Sequence, residues 1–270
     1  MNRLRCALGT LVVASLLWLG PVHATSFSTD QSDVWNAANE SGWAAEFVHR
    51  GSTIFAVIYV YSPTGAPIWY SAALEISGAG AALSWTGDLY VALEGPWFGL
   101  PLFDPSQVSL RKVGTMTWTA QSTITGTLTY SVSGVVVTKN LERVLIRYDN
   151  FAGRYAGGVH RTVTGCTDPS FNGTSEFPAR IEVLQSGLNV NVQTVASASI
   201  CTSTGQLSQA GQMGSTQGGF TCDDGSSGTF SFSEMQVNPQ GITARYDANY
   251  SNPPGCKATG WFGGVRGTTF

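Results

Sequence analysis

Trp43–Tyr61 reads WAAEFVHRGSTIFAVIYVY. Two runs rich in β-branched and aromatic residues flank Gly51-Ser52, a two-residue link with glycine first, which is hairpin chemistry. The second run, Thr53 to Tyr61, is apolar on both faces. That pattern suits a strand covered on both sides, or a barrel wall over a filled interior. Beyond it, Pro63 and Gly65 turn the chain into a return strand, Pro67 to Ile76. Ala82 to Ala92 reads as a further hairpin bent near Gly87-Asp88, and Gly95 to Pro105 as a loop dense in Gly, Pro and aromatics. Met116 and Trp118 then share one face, with Thr115, Thr117 and Thr119 on the other. Ile124, Leu128, Tyr130 and Val132 line one side of another strand, which Ser133-Gly134 turns into Val135 to Arg147. The count is seven or eight strands. A closed barrel or a two-sheet sandwich would satisfy it, and the short links favour an up-and-down barrel.

Arg147 to Asn150 reads as a linker, after which the pattern resumes. Strands are expected over Gly153 to Val163, Phe177 to Gln185, Leu188 to Thr194 and Cys201 to Leu207. Four more follow at Ser215 to Cys222, Gly228 to Glu234, Ile242 to Tyr246 and Lys257 to Val265. The fold class is therefore all-β, with two tandem antiparallel barrel or sandwich domains. Their expected bounds are residues 25–147 and 148–270. Ser41-Gly42-Trp43 near the start and Thr259-Gly260-Trp261 near the end form a short echo between the halves.

Residues 1–24 read as an export signal. Arg3 and Arg5 precede an apolar run from Ala7 to Leu19, and Val22-His23-Ala24 supplies small residues at a peptidase site. The run is short for a bilayer span. The expected location is outside the cytoplasm, periplasmic or extracellular. Only 11% of residues are charged and the net charge is −3, so the basic footprint of a nucleic-acid binder is missing. Four cysteines lie beyond the leader: Cys166, Cys201, Cys222 and Cys256. In an exported chain they read as two disulfides. Alternating up and down strands would put all four near one rim, where neighbouring loops pair most simply as Cys166 with Cys201 and Cys222 with Cys256.

Catalytic groups are sparse. His49 and His160 are the histidines beyond the leader, and no G-x-S-x-G or H-E-x-x-H occurs. Glu40, Glu46, Glu75 and Asp88 are candidates for a carboxylate pair of the glycosidase kind, although Glu46 in its strand reads more simply as a solvated or paired acid. Asp168-x-Ser170-x-Asn172-Gly173 copies the start of a calcium loop, but Ala179 stands where the bidentate glutamate belongs. No motif points to a cofactor or metal.

Trp35-Asn36 and Asn39-Glu40-Ser41-Gly42-Trp43 are followed by Ile54-Phe55-Ala56, by Gly65 and Pro67 before Trp69-Tyr70, and by Gly95-Pro96-Trp97-Phe98-Gly99. This succession resembles an uncharacterised exported proteobacterial β-domain family. The resemblance covers roughly Trp35 to Arg147, departs at Ala44 where glycine is usual, and implies export and a β-fold without implying a chemistry.

Six tryptophans fall between Trp35 and Trp118. Most are expected in the core, but an exposed one can stack on a sugar ring. Trp97 and Phe98 sit in a Gly/Pro-rich loop. Glu40 beside Gly42-Trp43 could form a polar clamp at a strand entrance. The leading expectation is a non-catalytic binding protein. Its ligand, a glycan or a small amphipathic molecule, would lie at a barrel mouth or aromatic surface of the first domain. Glu40, Trp43, Trp69, Trp97 and Phe98 are the candidate contacts. The alternatives are a structural or interaction protein with an extracellular protein partner, such as a surface component or protease inhibitor, and a secreted hydrolase.

Overall fold

The computed structural model describes residues 29–77, 83–97, 99, 101–197 and 199–267. The expected export signal lies outside these residues, as does Phe98. The first eight strands are β1 (Asp33–Ala37), β2 (Ala44–Arg50), β3 (Thr53–Tyr61), β4 (Pro67–Ile76), β5 (Ser84–Leu93), β6 (Ser109–Ala120), β7 (Thr125–Val132) and β8 (Val135–Arg143). The next eight are β9 (Gly153–Thr164), β10 (Gly173–Ser186), β11 (Asn189–Val195), β12 (Ile200–Ala210), β13 (Met213–Cys222), β14 (Ser227–Val237), β15 (Gly241–Asn252) and β16 (Lys257–Arg266). Each set of eight forms a closed antiparallel barrel in chain order, sealed by β1 against β8 and by β9 against β16.

The first barrel's alternating pattern buries Ile54, Ala56 and Ile58 and leaves Phe55, Tyr59 and Tyr61 outside. Its interior is filled by aromatics: Trp35, Trp85, Trp118 and Phe47 are fully buried, with Trp35 and Trp118 edge to face at 4.7 Å. Trp35 stands on β1, a short strand that the sequence pattern does not announce. The expected hairpin over Ala82 to Ala92 is corrected: β5 continues through Gly87 and Asp88 as one strand, with a register shift against β6 at Leu89/Tyr90. Gly87 serves a different need. A Cβ there would lie 2.1 Å from the Ala73 carbonyl oxygen on the neighbouring strand, so only glycine lets the two backbones approach.

One device closes an end of each barrel. The Trp35 indole donates to the Gln31 carbonyl, and the Tyr155 hydroxyl donates to the Phe151 carbonyl, each four residues back. An arginine at the end of the last strand lies over each ring, Arg143 over Trp35 at 4.6 Å and Arg266 over Tyr155 at 4.9 Å. Arg143 donates to the Ser32 carbonyl and Arg266 to the Ala152 carbonyl, again matching positions. This correspondence supersedes the echo of Gly42-Trp43 and Gly260-Trp261. Gly42 is a turn residue beside a half-buried tryptophan, whereas Gly260 and exposed Trp261 belong to the body of β16.

The two barrels meet at these ends. Asp33 accepts from Arg143 at 3.0 Å and from the Gln212 backbone N–H, in the β12–β13 turn, at 2.8 Å. Gly211 packs so tightly on Asp33 that a Cβ would sit 1.9 Å from its carboxylate. Gln31 is buried within the first barrel; its side-chain oxygen accepts from the Trp118 indole at 3.0 Å, and its backbone N–H donates to His49 Nδ1 at 3.2 Å.

Two disulfides lie in the second barrel, all four cysteines near the rim away from the junction, as alternation of the strands requires. The expected pairing is corrected: Cys166 bonds Cys256, and Cys201 bonds Cys222. Strand register decides this. Cys201 faces Cys222 directly across β12 and β13. Closure sets Thr164 against Lys257, which brings the residues just outside them together. Cys166 and Cys201 are kept apart by β10 and β11.

Candidate functional site

The second barrel is packed at one end and hollow at the other. Toward the junction Phe151, Tyr155, Ile181, Val183, Leu207, Met235 and Ile242 fill the interior. Toward the disulfide rim, small inward residues such as Ser203 and Ala248 leave space. A cavity of about 350 Å³ results, within the range that takes small molecules. Phe220, Phe230, Phe232 and Phe262 provide most of its apolar wall, and Cys201 and Cys222 reach its edge.

Hydroxyl and charged groups share the lining, among them Ser203, Tyr250 and Glu176. Arg161 occupies an inward position on β9 between Val159 and Val163. Its Nε is buried without a hydrogen-bond partner, and its guanidinium lies 5.5 Å from the Phe177 ring centre. Burial pushes the Tyr246 phenol up, only partly countered by Arg161. The phenol therefore keeps its proton at neutral pH and can donate. Asp224 stands at the lip. The Ser226 backbone N–H donates to it at 2.8 Å and holds its carboxyl below the usual range. On the outer wall nearby, His160 stacks on Trp261 at 4.0 Å and its Nδ1 lies 2.8 Å from Glu176 Oε1.

The residues singled out from sequence gather near the opposite end of the molecule. The β1–β2 turn brings Glu40 and Trp43 to the far rim of the first barrel, where Glu40 pairs with Lys139 on β8. The Lys139 ammonium lies 5.3 Å from the Trp43 ring centre, and the Trp43 indole is 3.4 Å from the Tyr130 hydroxyl. Trp97, 65% exposed, is in the β5–β6 loop at this rim and lies across Gly99. Trp69 points outward from β4, 55% exposed and paired in register with Tyr59 on β3, 45% exposed. Glu40 and Trp43 thus share one cluster, whereas Trp69 belongs to the barrel's outer face.

Each of the other candidate carboxylates has a partner of its own. Glu46 accepts from the Tyr59 hydroxyl, Glu75 from Thr53, and Asp88 pairs with Lys112. In the calcium-like segment, Asp168 caps a short 3-10 turn, Asn172 accepts from the Cys166 N–H, and Glu176 is engaged with His160. Among the described residues no group of three or more His, Cys, Asp or Glu is arranged to hold a metal ion.

Sequence reasoning passed over Arg161, and a signal for it exists. A lone charge interrupts an inward apolar row, Tyr155, Val159 and Val163, that otherwise alternates cleanly. In comparisons with known proteins, no family model and no curated protein matches the chain.

Proposed function

We propose that this chain is an exported, disulfide-bonded binding protein that holds a small amphipathic molecule in the mouth of its second barrel. The observation that carries this reading is the half-hollow interior. Five phenylalanines line about 350 Å³ of space in a barrel whose other half is closely packed. Protein interiors normally leave few voids larger than a water molecule, so a cavity of this size with a polar lip favours a ligand. The first barrel, filled by three tryptophans, then acts as a rigid partner domain.

The reading is tested by titrating a neutral naphthylamine dye, whose emission rises on leaving water. The expected result is saturable binding that Ala248→Phe abolishes, since Ala248 lines the cavity, and that Trp69→Ala leaves unchanged. Absence of dye binding, or binding indifferent to Ala248→Phe, removes the proposal.

A second reading rests on the facing exposed pair Tyr59 and Trp69, with Phe55 and Tyr61 on the same outward face. Such a strip could stack on a polysaccharide. Calorimetric titration with cell-wall and plant polysaccharides should then show heat that Trp69→Ala removes.

A further inference from the structure

The chemistry of Arg161 narrows the ligand. A guanidinium carries only donors and stays protonated in proteins. A buried N–H without an acceptor is costly; Arg161 lines the cavity, and its Nε is in that state. Among the described residues no carboxylate ion-pairs with Arg161. Asp224 acts on it at longer range and already accepts from Ser226. Glu176 is engaged by His160. Beside Arg161 the neighbours in register are Gly260 and Ser175, and the Tyr246 ring lies over Gly260, so guanidinium and phenol stand side by side on the cavity wall. Tyr246 adds a protonated hydroxyl to the same wall. The cavity therefore offers donors at one place and aromatic carbon around it.

We propose that the second barrel selects a small apolar monocarboxylate, its acid group on the Arg161 guanidinium and its chain or ring among Phe220, Phe230, Phe232 and Phe262. This rests on the reading of the cavity as a site for a small amphipathic molecule. A planar carboxylate matches the guanidinium fork with two parallel hydrogen bonds, and no neutral head group does so. Asp224 at the lip disfavours a second negative charge and limits the ligand to a monoanion. At ~30 Å³ for each water-sized group, the cavity has room for about a dozen such groups, the scale of a medium-chain fatty acid or an aryl-substituted acid.

The experiment is displacement of the naphthylamine dye from the signal-free chain at neutral pH, with three competitors below their micelle concentrations. These are decanoate, decanol and decylamine, which share one chain and differ only in head group. Decanoate is expected to displace the dye at roughly tenfold lower concentration than decanol, with decylamine weakest. Arg161→Gln should bring decanoate and decanol together by weakening decanoate, and the far-ultraviolet spectrum of the variant should match the parent. If the dye binds in the cavity but decanol or decylamine competes as well as decanoate, the carboxylate inference is overturned and the binding site stands. If the dye does not bind in the cavity at all, both fall. The head-group comparison in the parent decides the matter even if Arg161→Gln does not fold.

Discussion

Arg143 lies wholly inside the protein with its charge answered on several sides. It donates to Asp33 at 3.0 Å, to the Thr123 carbonyl at 2.8 Å, and to the carbonyls of Ser32 and Asp30. Arg143→Met keeps much of the stem but strands Asp33, which is nearly buried. Breaking such a pair costs about 3–5 kcal/mol, and urea denaturation followed by tryptophan emission should show a loss of that size. His49 answers to pH. Burial holds its pKa below 6.5 against a partial opposing pull from Asp30 3.9 Å away. The unfolded chain then binds more protons than the folded one just below pH 6.5, so stability is full above that value and falls as acid is added. Melting temperatures between pH 8 and pH 5 should decline on the acid side, and His49→Phe should flatten the decline. Arg161 shows why a site can be missed at this scale. The charge interrupting its row was readable, but the cavity it lines is assembled from the barrel's other strands and their loops, which only register and closure bring together.

At the scale of strands, most of the fold was legible because alternation survives wherever one face is wet. β3, β6, β7 and the hairpins at Gly51, Gly134 and Gly187 follow from residue order, and each of these glycines takes the left-handed backbone its turn needs. β1 was hidden because it is short and its pattern is obscured by polar neighbours. Gly87 was misleading because glycine signals both turns and close backbone approach, and sequence does not separate the two. Gly87→Ala should destabilise the first barrel by ~1–3 kcal/mol through overpacking against Ala73, measurable as a lower denaturation midpoint. The disulfides differ in a calculable way. Cys166–Cys256 spans 90 residues and Cys201–Cys222 spans 21. Loop-closure entropy assigns them ~4.6 and ~3.3 kcal/mol respectively. Replacing the first pair by alanines should therefore cost about 1 kcal/mol more than replacing the second, when both variants are compared by chemical denaturation.

Across the whole molecule, two separate cores predict two events on unfolding. One core holds Trp35, Trp85 and Trp118, and the other is built on phenylalanine, tyrosine and aliphatic residues. Tryptophan emission should therefore follow the first barrel, while circular dichroism follows both. Adding a reductant should shift the second transition down and leave the first nearly fixed. A single transition that moves as one under reduction would mean that Asp33 and Gln212 couple the barrels completely. The matching closures at Trp35 with Arg143 and Tyr155 with Arg266 give the halves one architecture, but one interior is solid and the other partly hollow.

Ring closure also bears on how the chain reaches this state. β9 finds its second partner only in β16, the last strand of the second barrel, and β1 likewise waits for β8. Until then each growing sheet carries two raw margins able to capture another chain. Such distant pairings slow folding, so the period between synthesis and the arrival of β16 is when this protein is most exposed to misassembly. A chain cut short before Lys257 should aggregate instead of settling into a looser version of the second barrel.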